Sequence, residues 1–238
     1  MASDEPHLSQ IQTSWTAHGG PPDVAAAARA DLLNRYGGAV RRYLRAATGD
    51  PDAADDLAQE FALRFLRGDF RGADPEKGRF RDSLKRAVRN LLRDRHRRRR
   101  AGPVAIPEEA LEPAVLDPDP AGLDAQFLAG WREELLARAW QALARDQDPA
   151  GAPYHDVLRY RAEHPELRSP ELAVRLSAAL GRPVSAVWVR QVLLRARARF
   201  VAALTAEVAG SLADPDEDQV QEELAELGLL EYCRRSRT

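Results

Sequence analysis

Apolar residues return at three- and four-residue steps along most of this 238-residue chain, and apolar and polar residues nowhere alternate for long. That spacing places side chains on one face of a helix, whereas a half-buried strand needs a period of two. β-branched residues, which favour strands, are also scarce. The sequence therefore predicts an all-α protein. Ala25, Ala28, Leu32, Leu33, Tyr36, Val40, Tyr43 and Leu44 mark a first helix, which Gly37 and Gly38 are expected to loosen or kink. After a break at Gly49–Asp52, Ala54, Leu57, Ala58, Phe61 and Phe65 mark a second. A loop up to Gly78 leads to a third, carrying Phe80, Leu84, Ala87, Val88, Leu91 and Leu92. Proline crowds the next stretch and removes any period, so it reads as a tether. The expected plan is an extension at 1–23, a helical domain at 24–100, a linker at 101–125, a second helical domain at 126–212 and an acidic extension at 213–238. In that last segment Val220, Leu224 and Leu227 mark a short amphipathic helix.

Charge divides along the same lines. The chain is formally −2, yet residues 79–100 hold eleven Lys/Arg against two Asp, a local charge of +9. Residues 101–154 sum to −7, 155–204 to +5 and 205–238 to −6. Two basic blocks separated by acid suggest polyanion binding at two places. The acids of linker and tail are expected to shield those basic surfaces in the free protein.

Several functions are disfavoured by what the sequence holds. Cys233 is the single cysteine, so an internal disulfide is impossible, and four-ligand zinc spacing is absent. The acidic start has no apolar core of a secretory signal, and no apolar run approaches a bilayer-spanning length. A cytoplasmic, membrane-free protein is expected. His7, His18, His96, His155 and His164 are scattered, no glycine-rich phosphate loop precedes a helix, and no pair of acids stands out as catalytic. No metal, no cofactor and no enzymatic reaction are expected. Trp15, Trp131 and Trp140 read as packing residues.

Three helices carry binding chemistry. In the basic segment Arg86, Arg89, Arg93, His96, Arg97 and Arg100 share a side opposite the apolar face, with Lys85 beside them. A guanidinium-lined face suits a row of phosphates, although a solvated helix ending in a basic run would hold the same residues. Farther along, Ser169 is expected to cap a helix with Pro170 at its first position and Glu171 in its first turn. Leu172, Ala173, Leu176 and Leu180 would face inward and Gly181 would turn the chain. Ser185 would cap a second helix, with Val189, Leu193, Ala196 and Phe200 inward and Ser185, Trp188, Arg190, Gln191 and Arg195 outward. Two helices around a short turn, the second bearing Arg and Gln, suit entry into a major groove. An ordinary helical hairpin fits the same pattern. The helix around DAADDLAQEFALRFLRG leaves Asp56, Gln59, Glu60 and Leu63 aligned away from its core face. Acids, an amide and one outward leucine suit a basic helical partner better than DNA.

The order DDLAQE, then FRDSLKRAVRN-LLRD-RHRRRR, then a linker, then a two-helix segment ending in RAR resembles the extracytoplasmic-function (ECF) sigma factors of bacterial RNA polymerase. The resemblance covers about residues 24–100 and 126–212; QEELAELGLLEYC and SQIQTSW resemble one subgroup. It implies a promoter-specificity subunit that binds core RNA polymerase and promoter DNA and leaves the chemistry to the polymerase. It implies that Asp56, Gln59, Glu60 and Leu63 dock on the β′ clamp helices. Arg71, Arg79, Arg81, Lys85, Asn90, Arg93 and Arg97 would open and hold the minus-ten element. Ser185, Trp188, Arg190, Gln191 and Arg195 would read the minus-thirty-five element, with their domain resting on the β flap. An anti-sigma factor is a further partner the resemblance allows. Ser83, Trp188 and Val192 depart from residue types common in that family. The rival reading is a stand-alone helix-turn-helix regulator acting as a dimer, for which an inter-subunit heptad seam would be needed and none is evident. A helical adaptor that binds only proteins is another.

Overall fold

A computed structural model describes residues 21–70, 79–100, 120–146, 151–213 and 215–235. All regular structure among them is helical: α1 (Pro22–Thr48), α2 (Pro51–Arg67), α3 (Phe80–Arg100), α4 (Pro120–Arg145), α5 (Tyr154–Glu163), α6 (Ser169–Ala179), α7 (Ala186–Ala209), α8 (Glu217–Glu226) and α9 (Leu230–Arg235). The all-α expectation holds there. The described residues fall into two compact units. One holds residues up to Glu134 with Val208–Glu222, the other Leu135–Glu207 with the residues from Glu223 onward. Residues 120–125, expected in the linker, are the first turns of α4, and 101–119 lie outside the described residues.

Local chemistry sets the helix ends of the first unit. Gly49 and Gly68 close α1 and α2 in the left-handed region, at φ 63° and 77°. Asp50 caps α2, its carboxylate accepting from the backbone N–H groups of Asp52 and Ala53 at 3.0 and 3.3 Å. Helix α1 is continuous through Gly37 and Gly38. Two glycines mark a close approach of α1 and α4: a Cβ on Gly38 would fall on the Glu134 carboxylate, and one on Gly130 would lie 3.2 Å from Arg42 Nε. Arg42 fastens the crossing by donating to Gly130 O at 2.9 Å and pairing with Glu134 at 2.8 Å.

The core of this unit is aromatic. Trp131, fully buried, stacks on Tyr36 with centroids 3.9 Å apart and rings 11° from parallel. Phe80 packs against Tyr36, Phe65 and Trp131 at 5.5–6.1 Å, and Phe127 joins Trp131 to Tyr43. The first half of α4 is therefore part of the same core as α1 and α3. Such stacked and tilted pairs add specific geometry to a large apolar burial.

In the second unit, Leu135, Ala139 and Leu143 of α4, Val157 of α5, Leu172 and Leu176 of α6, and Val189, Ala196 and Phe200 of α7 are buried. Trp140 packs on Phe200 at 4.8 Å, as its reading as a packing residue anticipates. Arg199 pairs with Asp146 and lies over the Tyr154 ring at 4.6 Å. The tail joins in: Tyr232 meets Phe200 edge-on at 6.0 Å, and the free thiol of Cys233 is buried.

Candidate nucleic-acid interface

Helix α3 splits its residues as periodicity predicts. Phe80, Leu84, Val88 and Leu91 are buried, while Arg86, Asn90, Arg93 and Arg97 are exposed. Those four lie at i, i+4, i+7 and i+11, which is a single line along the helix. At 1.5 Å per residue it is about 16 Å long. No ion pair engages Arg86, Arg93 or Arg97 among the described residues, so their donors stay available for phosphate oxygens.

The other cations of α3 are held by the protein itself. Asp124, in the stretch expected as linker, sits 2.5 Å from Arg89 and 3.4 Å from Lys85. Hydrogen bonding with Tyr43 raises the Arg89 pKa most; burial opposes this and the Asp124 charge adds to it. Arg79, just ahead of the helix, pairs with Glu222 of the tail at 2.9 Å. Arg95 donates to Ala53 O at 3.3 Å and Arg98 to Glu60 at 3.0 Å. Asp124 of α4 and Glu222 of the tail thus pair with Lys85, Arg89 and Arg79. Arg81 is buried, at 5% exposure, and does not share the solvent stripe. Arg71 lies outside the described residues.

On α2, Asp56, Gln59 and Leu63 face solvent, Leu63 at 55% exposure, with Leu66 also open at 41%. Glu60 is drawn aside, half-buried between Arg64 at 2.6 Å and Arg98 at 3.0 Å. Three of the four candidates form one free surface; the fourth ties α2 to α3.

Helices α6 and α7 are joined by a turn fixed at several points. The α6 start lies one residue before the expected cap: Arg168 occupies the cap position, its N–H donating to Glu171 at 2.7 Å, and Ser169 is already helical. Gly181 takes φ 63°. Ser177 Oγ donates to Ala173 O at 2.7 Å and accepts from Val184 N–H at 2.9 Å. Ser185 caps α7, accepting from Trp188 N–H at 3.1 Å. The expected outer face of α7 divides in two. Trp188, Gln191 and Arg195 lie on one side; Arg190 turns instead into an open groove that it lines with Arg168, Leu193, Leu194 and Arg197. Arg182, in the turn, lies over the Trp188 ring at 5.1 Å.

Sequence reading missed Asp124, Glu222, Arg168, Arg182 and Arg197. The first two act across separations of 35 to 143 residues, which no periodicity reports. Arg182 had one local cue, its place directly after the turn glycine. No group of three His, Cys, Asp or Glu is placed to hold a metal among the described residues. No helix among them is long and apolar enough to cross a membrane.

Residues 32–102 match the family model of Sigma-70 region 2, over most of α1 and all of α2 and α3. No curated protein and no solved structure matches the chain. That part of the chain is therefore similar to the Sigma-70 region 2 domain found in sigma factors. Sigma factors are not enzymes; they bind core RNA polymerase and give it recognition of promoter DNA.

Proposed function

From a segment similar to Sigma-70 region 2 whose basic helix bears an open arginine line, we propose that this chain is a sigma factor of the ECF type, working in the cytoplasm with core polymerase. In this reading the segment 24–100 docks on the β′ clamp helices through Asp56, Gln59 and Leu63. Its α3 line, Arg86, Asn90, Arg93 and Arg97, follows the separated strand of the minus-ten element. Holding a single strand open needs neutralisation of its backbone charge, which such a line supplies. Arg79 and Lys85 join once their acids let go. The segment 126–212 acts as a helix-turn-helix domain, with α7 in the major groove of the minus-thirty-five element and its body against the β flap. An anti-sigma factor would act by covering either surface.

The observation that carries the proposal is the coincidence of the family match with α3's free cationic line. The test adds the purified full chain to core polymerase and measures promoter-dependent transcripts. Asp56→Arg with Leu63→Ala should weaken polymerase capture. Gln191→Ala with Arg195→Ala should leave capture intact and weaken upstream contact. A chain that binds promoter DNA equally well with and without polymerase, and yields no transcripts, is a stand-alone regulator instead.

A further inference from the structure

Helix α7 turns two stripes away from its core face, with Trp188 and Arg197 half-buried and Arg190, Gln191, Leu194 and Arg195 exposed, and the stripes differ in chemistry. Arg190, Leu194 and Arg197 border the groove shared with Arg168. Trp188, Gln191 and Arg195, at i, i+3 and i+7, form the other, and its leading residue is a large aromatic. That aromatic is fixed from two directions. Its backbone N–H is held by the Ser185 hydroxyl at 3.1 Å, and the Arg182 guanidinium lies over its ring at 5.1 Å. Arg182 is itself anchored, its N–H donating to Ser177 O at 3.2 Å within the turn that Ser177 and Gly181 define. The backbone of both members is thus held within the turn, and the guanidinium–indole contact joins their side chains.

We infer that Arg182 and Trp188 form one composite reader at the leading end of α7, in which the guanidinium positions the indole to pack on a thymine methyl group in duplex DNA. The inference rests on the reading of α7 as the helix that enters the upstream promoter element. Among the features exposed in a major groove, the C5-methyl of thymine is the apolar one, and an indole edge matches it. A guanidinium stacked on an aromatic face keeps its in-plane N–H donors free. Arg182 can therefore hold the ring and still donate to a neighbouring phosphate or guanine edge. Trp188 is the contacting residue and Arg182 a positioning residue. Gln191 and Arg195, one and two turns on, then meet successive base edges, while Arg190 stands on the groove side and adds charge without reading sequence.

Deoxyuridine differs from thymidine only by the missing methyl, which makes it the direct probe. The full chain in complex with core polymerase is bound to duplexes of its upstream element in which each thymine is replaced in turn. The wild-type complex should show one thymine whose replacement weakens binding about fourfold, the effect of one buried methyl group. Trp188→Ala should erase that difference at that position alone, and Trp188→Phe should retain it. Arg182→Ala and Arg182→Lys should both reduce it, since a lysine does not stack as a guanidinium does. Arg190→Ala should weaken thymine and deoxyuridine duplexes equally. If the complex prefers its upstream sequence yet tolerates every replacement, or if Trp188→Ala leaves the sensitive thymine sensitive, the composite reader is wrong and the sigma-factor reading stands. If the complex shows no upstream preference at all, both fall together.

Discussion

Helices α3 and α7 carry most of the positive charge in the two basic blocks, and they differ in what that charge touches. On α3 and just before it, Arg79, Lys85, Arg89, Arg95 and Arg98 are each engaged by an acid or a carbonyl of the protein. Arg86, Arg93 and Arg97 remain open. On α7 the balance is reversed: among the described residues no ion pair engages Arg190 or Arg195, which face solvent, Arg197 lines an open groove, and Arg199 pairs with Asp146. A local charge of +9 therefore overstates what α3 offers a polyanion, because partners brought from distant sequence hold much of it. Under the proposed function, α7 is ready for duplex DNA, whereas α3 reaches its full charge only when Asp124 and Glu222 withdraw.

The comparison breaks most decisively at Trp131. If the first half of α4 belongs to the core beneath α3, Trp131→Ala should lower stability by about 3–5 kcal/mol, the usual cost of removing a fully buried large aromatic. Urea unfolding followed by circular dichroism measures it. A loss below about 1 kcal/mol would mean that α4 merely touches that core, and the hold of Asp124 on α3 would lose its support.

The next effect concerns the open line of α3. Arg86→Ala, Arg93→Ala and Arg97→Ala combined should abolish most single-strand binding by the polymerase complex. The dependence of log affinity on log salt should flatten by about 2, since each phosphate contact contributes roughly 0.7 on a single strand. The same triple variant should leave binding of the upstream duplex nearly unchanged. Equal losses on both DNAs would erase the distinction between the two helices.

Asp124→Asn sharpens the comparison from the other side. It leaves shape intact and frees Lys85 and Arg89, so the free chain should bind single-stranded DNA several-fold more tightly at low salt. Its salt dependence should steepen by about 1.4 as the two released cations find phosphates. No change would show that Asp124 restrains groups that DNA never meets.

How much of this was legible in sequence depends on the range of the interaction. Phe80, Leu84, Val88 and Leu91 announce their burial by spacing alone, as do Leu57, Phe61 and Phe65, because a helix face is set within seven or eight residues. Ser185 and Gly181 signal the α6–α7 turn for the same local reason. Arg81 misleads, since its charge suggests solvent while its position three and seven residues before Leu84 and Val88 puts it on the buried line. Arg190 misleads more mildly: it and Gln191 are neighbours in sequence but about 100° apart around the helix, so they belong to different surfaces. Asp124 was invisible as a partner because its role depends on α4 crossing α1, and that crossing needs close approach at Gly38, which in sequence reads only as a residue that loosens a helix.

That crossing yields the smallest effect. Alanine in a helix interior is favoured over glycine by about 0.8–1 kcal/mol, so Gly38→Ala gains that much from α1 itself. The new Cβ would fall on the Glu134 carboxylate, which is the free end of a flexible side chain and can swing away. Moving it breaks the partly exposed Arg42–Glu134 pair, worth about 0.2–1 kcal/mol. The two terms nearly cancel, and the urea midpoint of Gly38→Ala should stay within about 0.5 kcal/mol of the original stability. Gly38→Leu cannot be relieved by one side chain swinging aside and should cost more than about 1 kcal/mol as the helices separate. If alanine already costs as much as leucine, the limit at this crossing is backbone against backbone, and α4 holds Asp124 over α3 more rigidly than the Arg42–Glu134 pair alone requires.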